Sequence, residues 1–296
     1  MFQISSPISI DIQMPLEEFF CAQETFAWTF FRKDKNSPLF LRGSFKTKEL
    51  AFKQWAHVRE SFPDLSQEAD IEEILDEDWQ NAYKKYLKPW TSRNLHWVPV
   101  WEKDSYVKND EDVILYFDAG MAFGTGSHET TRLCAERLLD FKEAHASTFS
   151  DLTIIDAGCG SGILSISAQM LGAQNVFGFD IDPDTITVCK QNLTFNNLPA
   201  NSIEFSQADI DQGLTNKSPD LIMANIQADI LCNNAEVFIQ AIIPKSGTLV
   251  LSGILLKERD ETKAHFLKVA QASGKKCSFD TRGMGEWCDI LITCSE

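Results

Sequence analysis

The spacing of apolar positions changes character along the chain. Over residues 2–12, Ile8, Ile10 and Ile12 alternate with polar neighbours, the two-residue period of a strand. Residues 15–23 take a helical spacing, with Pro15 suited to a first turn. The aromatic-rich runs Thr25 to Phe31 and Pro38 to Phe45 read as two more strands. Thr47 is placed to cap a helix reaching about Ser61, with Leu50, Ala51, Trp55 and Val58 on one face, and Pro63 ends it. A second helix is predicted from about Ile71 to Leu87.

From about Val113 apolar strands alternate with helical segments, the signature of a doubly wound parallel sheet. Strands are predicted near 152–156, 175–180, 202–206, 220–225 and 247–252, and helices near 163–171, 183–196, 228–242 and 257–272. Two last strands, around 276–279 and 289–293, flank Gly283 and Gly285 and would finish seven strands. The fold class is therefore α/β: a seven-stranded doubly wound, Rossmann-like domain preceded by a small α+β domain. The boundaries read as 1–75 for the first domain, 76–112 for a connecting helix and linker, and 113–296 for the second. Trp90, Trp97 and Trp101 argue that the linker is packed down.

Composition narrows the picture. A chain of 296 residues with 44% apolar content suits two globular domains. No run approaches the ~18 apolar residues of a membrane helix, and the segment from Met1 to Pro7 does not read as a secretory signal. The eight cysteines include no C-x-x-C pair and no His at zinc spacing, so reduced thiols in a cytoplasmic protein, with no metal, are expected. A net charge of −16 disfavours a nucleic-acid ligand, which needs a basic face. The stretch from Asp64 to Asp78 holds eight acids and no Lys or Arg; it reads as a solvated loop leading into an exposed helix face.

The informative segment is Asp156-Ala157-Gly158-Cys159-Gly160-Ser161-Gly162-Ile163. An apolar strand runs into G-x-G-x-G and an apolar helix follows. Glycines suit a sharp turn whose backbone comes close to a ligand. A dinucleotide loop would need a third Gly where Ile163 stands, so that fingerprint fails. The form that fits, an acid ahead of G-x-G-x-G, resembles motif I of class I S-adenosylmethionine methyltransferases. Asp180 lies about 20 residues past the loop, at a strand end, where an acid can take both ribose hydroxyls. Asp182 ahead of Pro183 reads as a helix cap. Asp209 is placed like the acid that takes the adenine amino group, and equally like an exposed loop acid.

A second constellation lies upstream, Gly120-Met121-Ala122-Phe123-Gly124-Thr125-Gly126-Ser127-His128-Glu129-Thr130-Thr131. It closely resembles the hallmark segment of the bacterial methyltransferases that modify ribosomal protein L11. Asp76-Glu77-Asp78-Trp79, Asn225-Ile226-Gln227-Ala228, Leu251-Ser252-Gly253-Ile254-Leu255 and Glu286-Trp287 agree in order, so the resemblance covers roughly residues 76 to 290. Ala119 and Gln227 depart from it, where the family usually has Pro and Leu.

The resemblance implies S-adenosylmethionine as cofactor, held by Thr131, Gly158, Gly160, Asp180 and Asn225, with Gly124 near the methionine part and Asp209 near the adenine. It implies Asn225 and Phe123 at the reacting amine, and a first domain that recognises the substrate protein. His128 is equally suited to orienting a substrate and to holding its loop. The acceptor implied is ribosomal protein L11, at lysine side chains and its α-amino group. Apart from the resemblance, the thiols point to the cytoplasm, and a monomer is expected because nothing in the sequence demands a partner. Three other readings stay open: a lysine methyltransferase of another protein, such as electron-transfer flavoprotein β subunit; an RNA or small-molecule methyltransferase; and a cofactor-binding regulatory protein without catalysis.

Overall fold

The computed structural model describes residues 1–22, 27–32, 37–73, 87–118 and 128–295. The chain divides into two compact units, Met1–Tyr86 and Leu87–Glu296.

In the first unit, β1 (Phe2–Ile8) is followed by α1 (Gln13–Ala22), β2 (Trp28–Phe31), β3 (Leu39–Phe45), α2 (Lys48–Ser61) and β4 (Asp70–Glu73). They form a four-stranded sheet in the order β2-β3-β1-β4, whose β1 pairs are antiparallel. The strand predicted over 2–12 stops at Ile8, because Ser9 accepts a hydrogen bond from Asp11 N and turns the chain into a short 3-10 helix. Thr47 caps α2 through Leu50 N, and Ala51, Trp55 and Val58 are buried as the helical spacing predicts. They pack with Ile4, Leu16, Phe20, Trp28, Leu41 and Phe45 into this unit's core. The helix predicted from Ile71 is corrected at its start: residues 70–73 pair with β1, Ile71 opposite Ile4. Pairing with a free sheet edge outweighs the helical leaning of an acid-rich run. The remainder of that predicted helix, 74–86, lies outside the described residues, and so does Asp76-Glu77-Asp78-Trp79.

The second unit opens with β5 (Trp90–Ser92), β6 (Leu95–Pro99) and β7 (Val113–Phe117), a three-stranded sheet where a linker was expected. Trp97 is fully buried, packs against Trp90 and donates its indole N–H to Ser167 Oγ at 2.8 Å. This sheet leads to α3 (Glu129–Ala144), β8 (Thr153–Ala157), α4 (Ile163–Met170), β9 (Asn175–Asp180), α5 (Pro183–Phe195), β10 (Glu204–Gln207), α6 (Ile210–Leu214) and β11 (Leu221–Asn225). Then come α7 (Ala228–Asn233), α8 (Ala235–Ile242), β12 (Thr248–Leu255), α9 (Arg259–Ala272), β13 (Lys276–Met284) and β14 (Trp287–Ser295). The single helix predicted over 228–242 is two, divided at Asn234, whose side-chain amide bonds back to Ile230 O.

The seven strands run in the order β10-β9-β8-β11-β12-β14-β13. The first five are parallel and β14 is antiparallel to both neighbours. Strand order reverses between β8 and β11, so their carboxyl ends open a crevice, the place where doubly wound sheets bind ligands. Ile155, Ile222, Leu249, Phe238, Ile242 and Phe266 form the core on one face. Cys277 and Cys294 face each other across β13 and β14 and form a disulfide, which corrects the expectation of eight reduced thiols. They stand 17 residues apart, a spacing with no signature until the hairpin register is known. Among the described residues no helix is long and apolar enough to cross a membrane.

Candidate active site: a cofactor cleft at the switch point

The floor of the cleft is the turn after β8. Gly158 has φ +73°, and a Cβ there would lie 2.5 Å from Ile226 Cγ2. A side chain would meet both backbone strain and the loop after β11. Gly253, at the register shift within β12, has φ +84°, and its Cβ would lie 2.3 Å from Ile226 O. Two glycines thus grip Ile226 from both sides and fix the path of Asn225-Ile226-Gln227. Gly158 N and Cys159 N both donate to Phe179 O, at 2.8 and 3.0 Å, tying the turn to β9.

Beneath the turn, Asp156 is 1% exposed and accepts hydrogen bonds from Ser165 N and Ser165 Oγ at 3.0 and 2.7 Å. Burial pushes its carboxyl up to about 6, against the lowering effect of those two donors. Asp180 ends β9. Its carboxylate accepts from Gly160 N at 2.9 Å and from Asp182 N at 3.0 Å, so the loop and the strand end form one polar corner. Asp182 caps α5 through Asp184 N at 2.9 Å, as read from the Asp-Pro pair.

The cleft has two lobes. The larger, about 440 Å³, is lined by His128, Thr130, Gly158, Gly160, Asp180, Asn225, Gln227, Gly253 and Trp287, among others. The second, about 380 Å³, continues past Asp180 to Ile181, Ala208 and Asp209 and shares Ile226 and Ile230 with the first. Gly158, Gly160, Asp180, Asn225 and Asp209 are therefore brought together from four separate strand ends. Asp209 does two things: it lines the second lobe, and its Oδ1 accepts from Gln212 N at 2.8 Å as the cap of α6. Thr131 lines neither lobe; it is 1% exposed, and its hydroxyl accepts a hydrogen bond from Asn225 Nδ2 at 3.2 Å. Phe123 and Gly124 lie outside the described residues.

Asn225 is 8% exposed, and with its Nδ2 committed to Thr131 its Oδ1 is buried without a hydrogen-bond partner. Such an atom costs stability unless something fills the lobe and donates to it. Two wall residues flagged in the sequence by the family resemblance take their places here. Trp287 begins the antiparallel strand β14, which places it level with the carboxyl ends of the parallel strands. His128 caps α3, with Nδ1 2.8 Å from Thr130 Oγ1, and its ring lies edge-on to Trp287 at 4.8 Å. Among the described residues no cluster of His, Cys, Asp and Glu has the makings of a metal site.

A seven-stranded sheet of this order, a glycine turn after its first strand and an acid ending the next define a class I methyltransferase, whose methyl donor is S-adenosylmethionine. The residues present fit that donor: Asp180 can take a ribose, the Ile181–Asp209 lobe can take an adenine, and the glycine turn leaves room for the amino-acid end. Known proteins narrow the class. The family model for ribosomal protein L11 methyltransferase (PrmA) matches residues 22–293, and the chain belongs to that family. A ribosomal protein L11 methyltransferase of Thermoanaerobacter pseudethanolicus is 36% identical over 226 residues, covering 75% of this chain and 66% of its own length. The one from Dictyoglomus thermophilum is 37% identical over 230 residues, covering 74% of this chain and 71% of its own. A solved ribosomal protein L11 methylase from Lactobacillus delbrueckii subsp. bulgaricus aligns with TM-score 0.58 at 28% identity, over 69% of this chain and 97% of that one.

Proposed function

We propose that this protein transfers methyl groups from S-adenosylmethionine to amino groups of ribosomal protein L11, at lysine side chains and the α-amine. The observation that carries the reading is the buried, unpartnered Oδ1 of Asn225 in the larger lobe. It accepts an N–H of the incoming amine and so turns the nitrogen lone pair toward the transferable methyl. When bound, S-adenosylmethionine supplies a methyl carbon already activated by a sulfonium. The protein's part is positioning, which can account for most of the barrier reduction in such a displacement. Thr131, accepting from Asn225 Nδ2, holds the amide in place.

The acceptor must be unprotonated, and a free lysine titrates near ~10.4. Ile226, Ile230 and Trp287 along the lobe desolvate the amine and lower that value. Water then takes the surplus proton. Asp180 and Asp209 serve the nucleoside end of the donor, and the family resemblance assigns Gly124 to its methionine end and Phe123 to the reacting amine. The unit Met1–Tyr86 serves to recognise the protein acceptor, and the protein acts as a cytoplasmic monomer without contacting nucleic acid.

Asn225→Ala tests the assignment. With the donor saturating, turnover on ribosomal protein L11 is expected to fall about a hundredfold, the scale of a lost positioning contact, while calorimetry finds donor binding largely kept. Unchanged turnover would remove Asn225 from the reaction.

A further inference from the structure

Two cysteines meet beneath the cofactor turn. Cys159, inside the turn, and Cys189, on α5, are 30 residues apart in the chain, and their Sγ atoms lie 3.8 Å apart. Both are free thiols, 6% and 0% exposed, packed with Ile186 and Phe205. The fold builds this approach. Gly162 has φ +76°, and a Cβ there would lie 2.8 Å from Cys189 Sγ, so the missing side chain leaves the space that the thiol occupies. Cys189 Sγ donates to Gly160 O at 3.2 Å, and one turn further along α5 Asn192 Nδ2 donates to Ser161 O at 2.8 Å.

The pair joins two walls of the larger lobe. Gly158 and Gly160, on either side of Cys159, line that lobe, and so do Asp182 and Thr185 at the start of α5. Bonded sulfurs stand ~2.05 Å apart, so a disulfide here draws the two sulfurs together by about 1.8 Å. In a close-packed interior such a shift is passed on to the backbone. It falls on the turn whose Gly160 N bonds Asp180 at 2.9 Å, the corner that takes the ribose of the donor.

We propose that Cys159 and Cys189 are a reversible oxidation site: hydrogen peroxide closes them into a disulfide that deforms the cofactor turn, and a bound donor, by holding the turn in place, protects them. The neighbouring Cys189 sulfur and burial hold the Cys159 thiol well above its usual range, so it stays protonated and unreactive while the turn is closed. When the turn opens toward the lobe, the Cys159 thiolate attacks one peroxide oxygen. The S–O bond forms as the O–O bond breaks, and the hydroxide released takes up the thiol proton as water. Cys189 sulfur then attacks the sulfenic sulfur, the S–S bond forms as the S–O bond breaks, and hydroxide leaves with the Cys189 proton as a second water. Two electrons pass from the two sulfurs to the peroxide, and a small dithiol returns them. Donor binding and disulfide formation oppose each other, so each weakens the other by the same factor.

The test exposes the reduced full chain to hydrogen peroxide, with and without saturating S-adenosylmethionine. Disulfides are mapped by mass spectrometry and donor Kd is measured by calorimetry. A Cys159–Cys189 disulfide should form, the donor Kd should rise at least about tenfold, and a dithiol should restore it. Saturating donor during exposure should slow formation of the disulfide by about the same factor. Cys189→Ser keeps a hydroxyl for Gly160 O and should bind the donor with the reduced wild-type Kd before and after peroxide. Oxidation of the partly exposed Cys232 shows that the peroxide has acted. The proposal is overturned if Cys232 is oxidised and no Cys159–Cys189 disulfide appears, or if the disulfide forms and leaves the donor Kd unchanged. Equal rates of formation with and without donor overturn it too. The wild-type mapping decides these points whether or not the variant folds. A reduced chain that binds no donor overturns the cofactor reading and this inference together, and the choice of acceptor does not enter.

Discussion

Asp156 holds a carboxyl in the interior beneath the cofactor turn, and its titration sets a pH dependence. Its value is raised from near 3.8 to about 6 by burial. The folded chain therefore keeps a proton that the unfolded chain releases between those values. The stabilisation is fully present below the unfolded value and is lost as pH rises through the folded one, up to about 3 kcal/mol. Asp156→Asn keeps an oxygen for the two Ser165 donors and carries no charge. It should be more stable than wild type above about pH 6, with the gap closing toward about pH 4. Denaturant titrations across that range check it, and parallel curves for the two proteins would refute it. Single residues were legible where chemistry leaves a spacing: the glycine turn, Asp180 about twenty residues on, Asn225 at a strand end. Thr131 was not, because a helix start does not reveal which neighbour its hydroxyl will meet. The contact of Trp287 with His128 likewise depends on one antiparallel strand at the end of a parallel sheet.

At the scale of elements, α3 carries the first-turn threonines and must be held in register with the strand ends. Ser252 Oγ donates to Thr130 O at 3.0 Å, and Arg137 joins the helix to the C-terminal hairpin. Arg137 is 3% exposed; it makes a two-pronged pair with Asp289, at 2.8 Å from Nε and from Nη2, and reaches Asp280 at 2.7 Å. Asp289 is fully buried, whereas the Asp280 side chain is 62% exposed. Removing the charge of a buried partner strands the other, at about 3–5 kcal/mol; removing an exposed one costs below about 1 kcal/mol. Asp289→Asn should thus lower unfolding free energy several times more than Asp280→Asn, and equal losses would contradict this account of the clamp. Capped helices were legible, as at Thr47 and Asp182. The strands at 70–73 and 90–99 were not, because short acid-rich or Trp- and Pro-bearing runs become strands only when a partner edge is available.

Over the whole molecule, alternation of strands and helices foretold the doubly wound unit, and its sheet order puts the described residues proposed to bind the donor on Leu87–Glu296. The described lining residues of both lobes come from that unit alone. A chain beginning at Leu87 is expected to bind S-adenosylmethionine with the Kd of the full protein, while its KM for ribosomal protein L11 rises at least about tenfold for want of the unit proposed to recognise the acceptor. Calorimetry and initial rates separate the two effects, and loss of donor binding on truncation would contradict the division of labour.

Methyl transfer to amines of ribosomal protein L11 unites the cleft, the buried Asn225 amide and the family. Its most direct test mixes the protein with S-adenosylmethionine labelled in the methyl group, free ribosomal protein L11 and, separately, a ribosome-depleted lysate. Label is expected on ribosomal protein L11, mapped by mass spectrometry to lysine side chains or the α-amine. Label confined to other proteins would contradict the acceptor, and no label on any amine, with the donor demonstrably bound, would contradict the reaction itself.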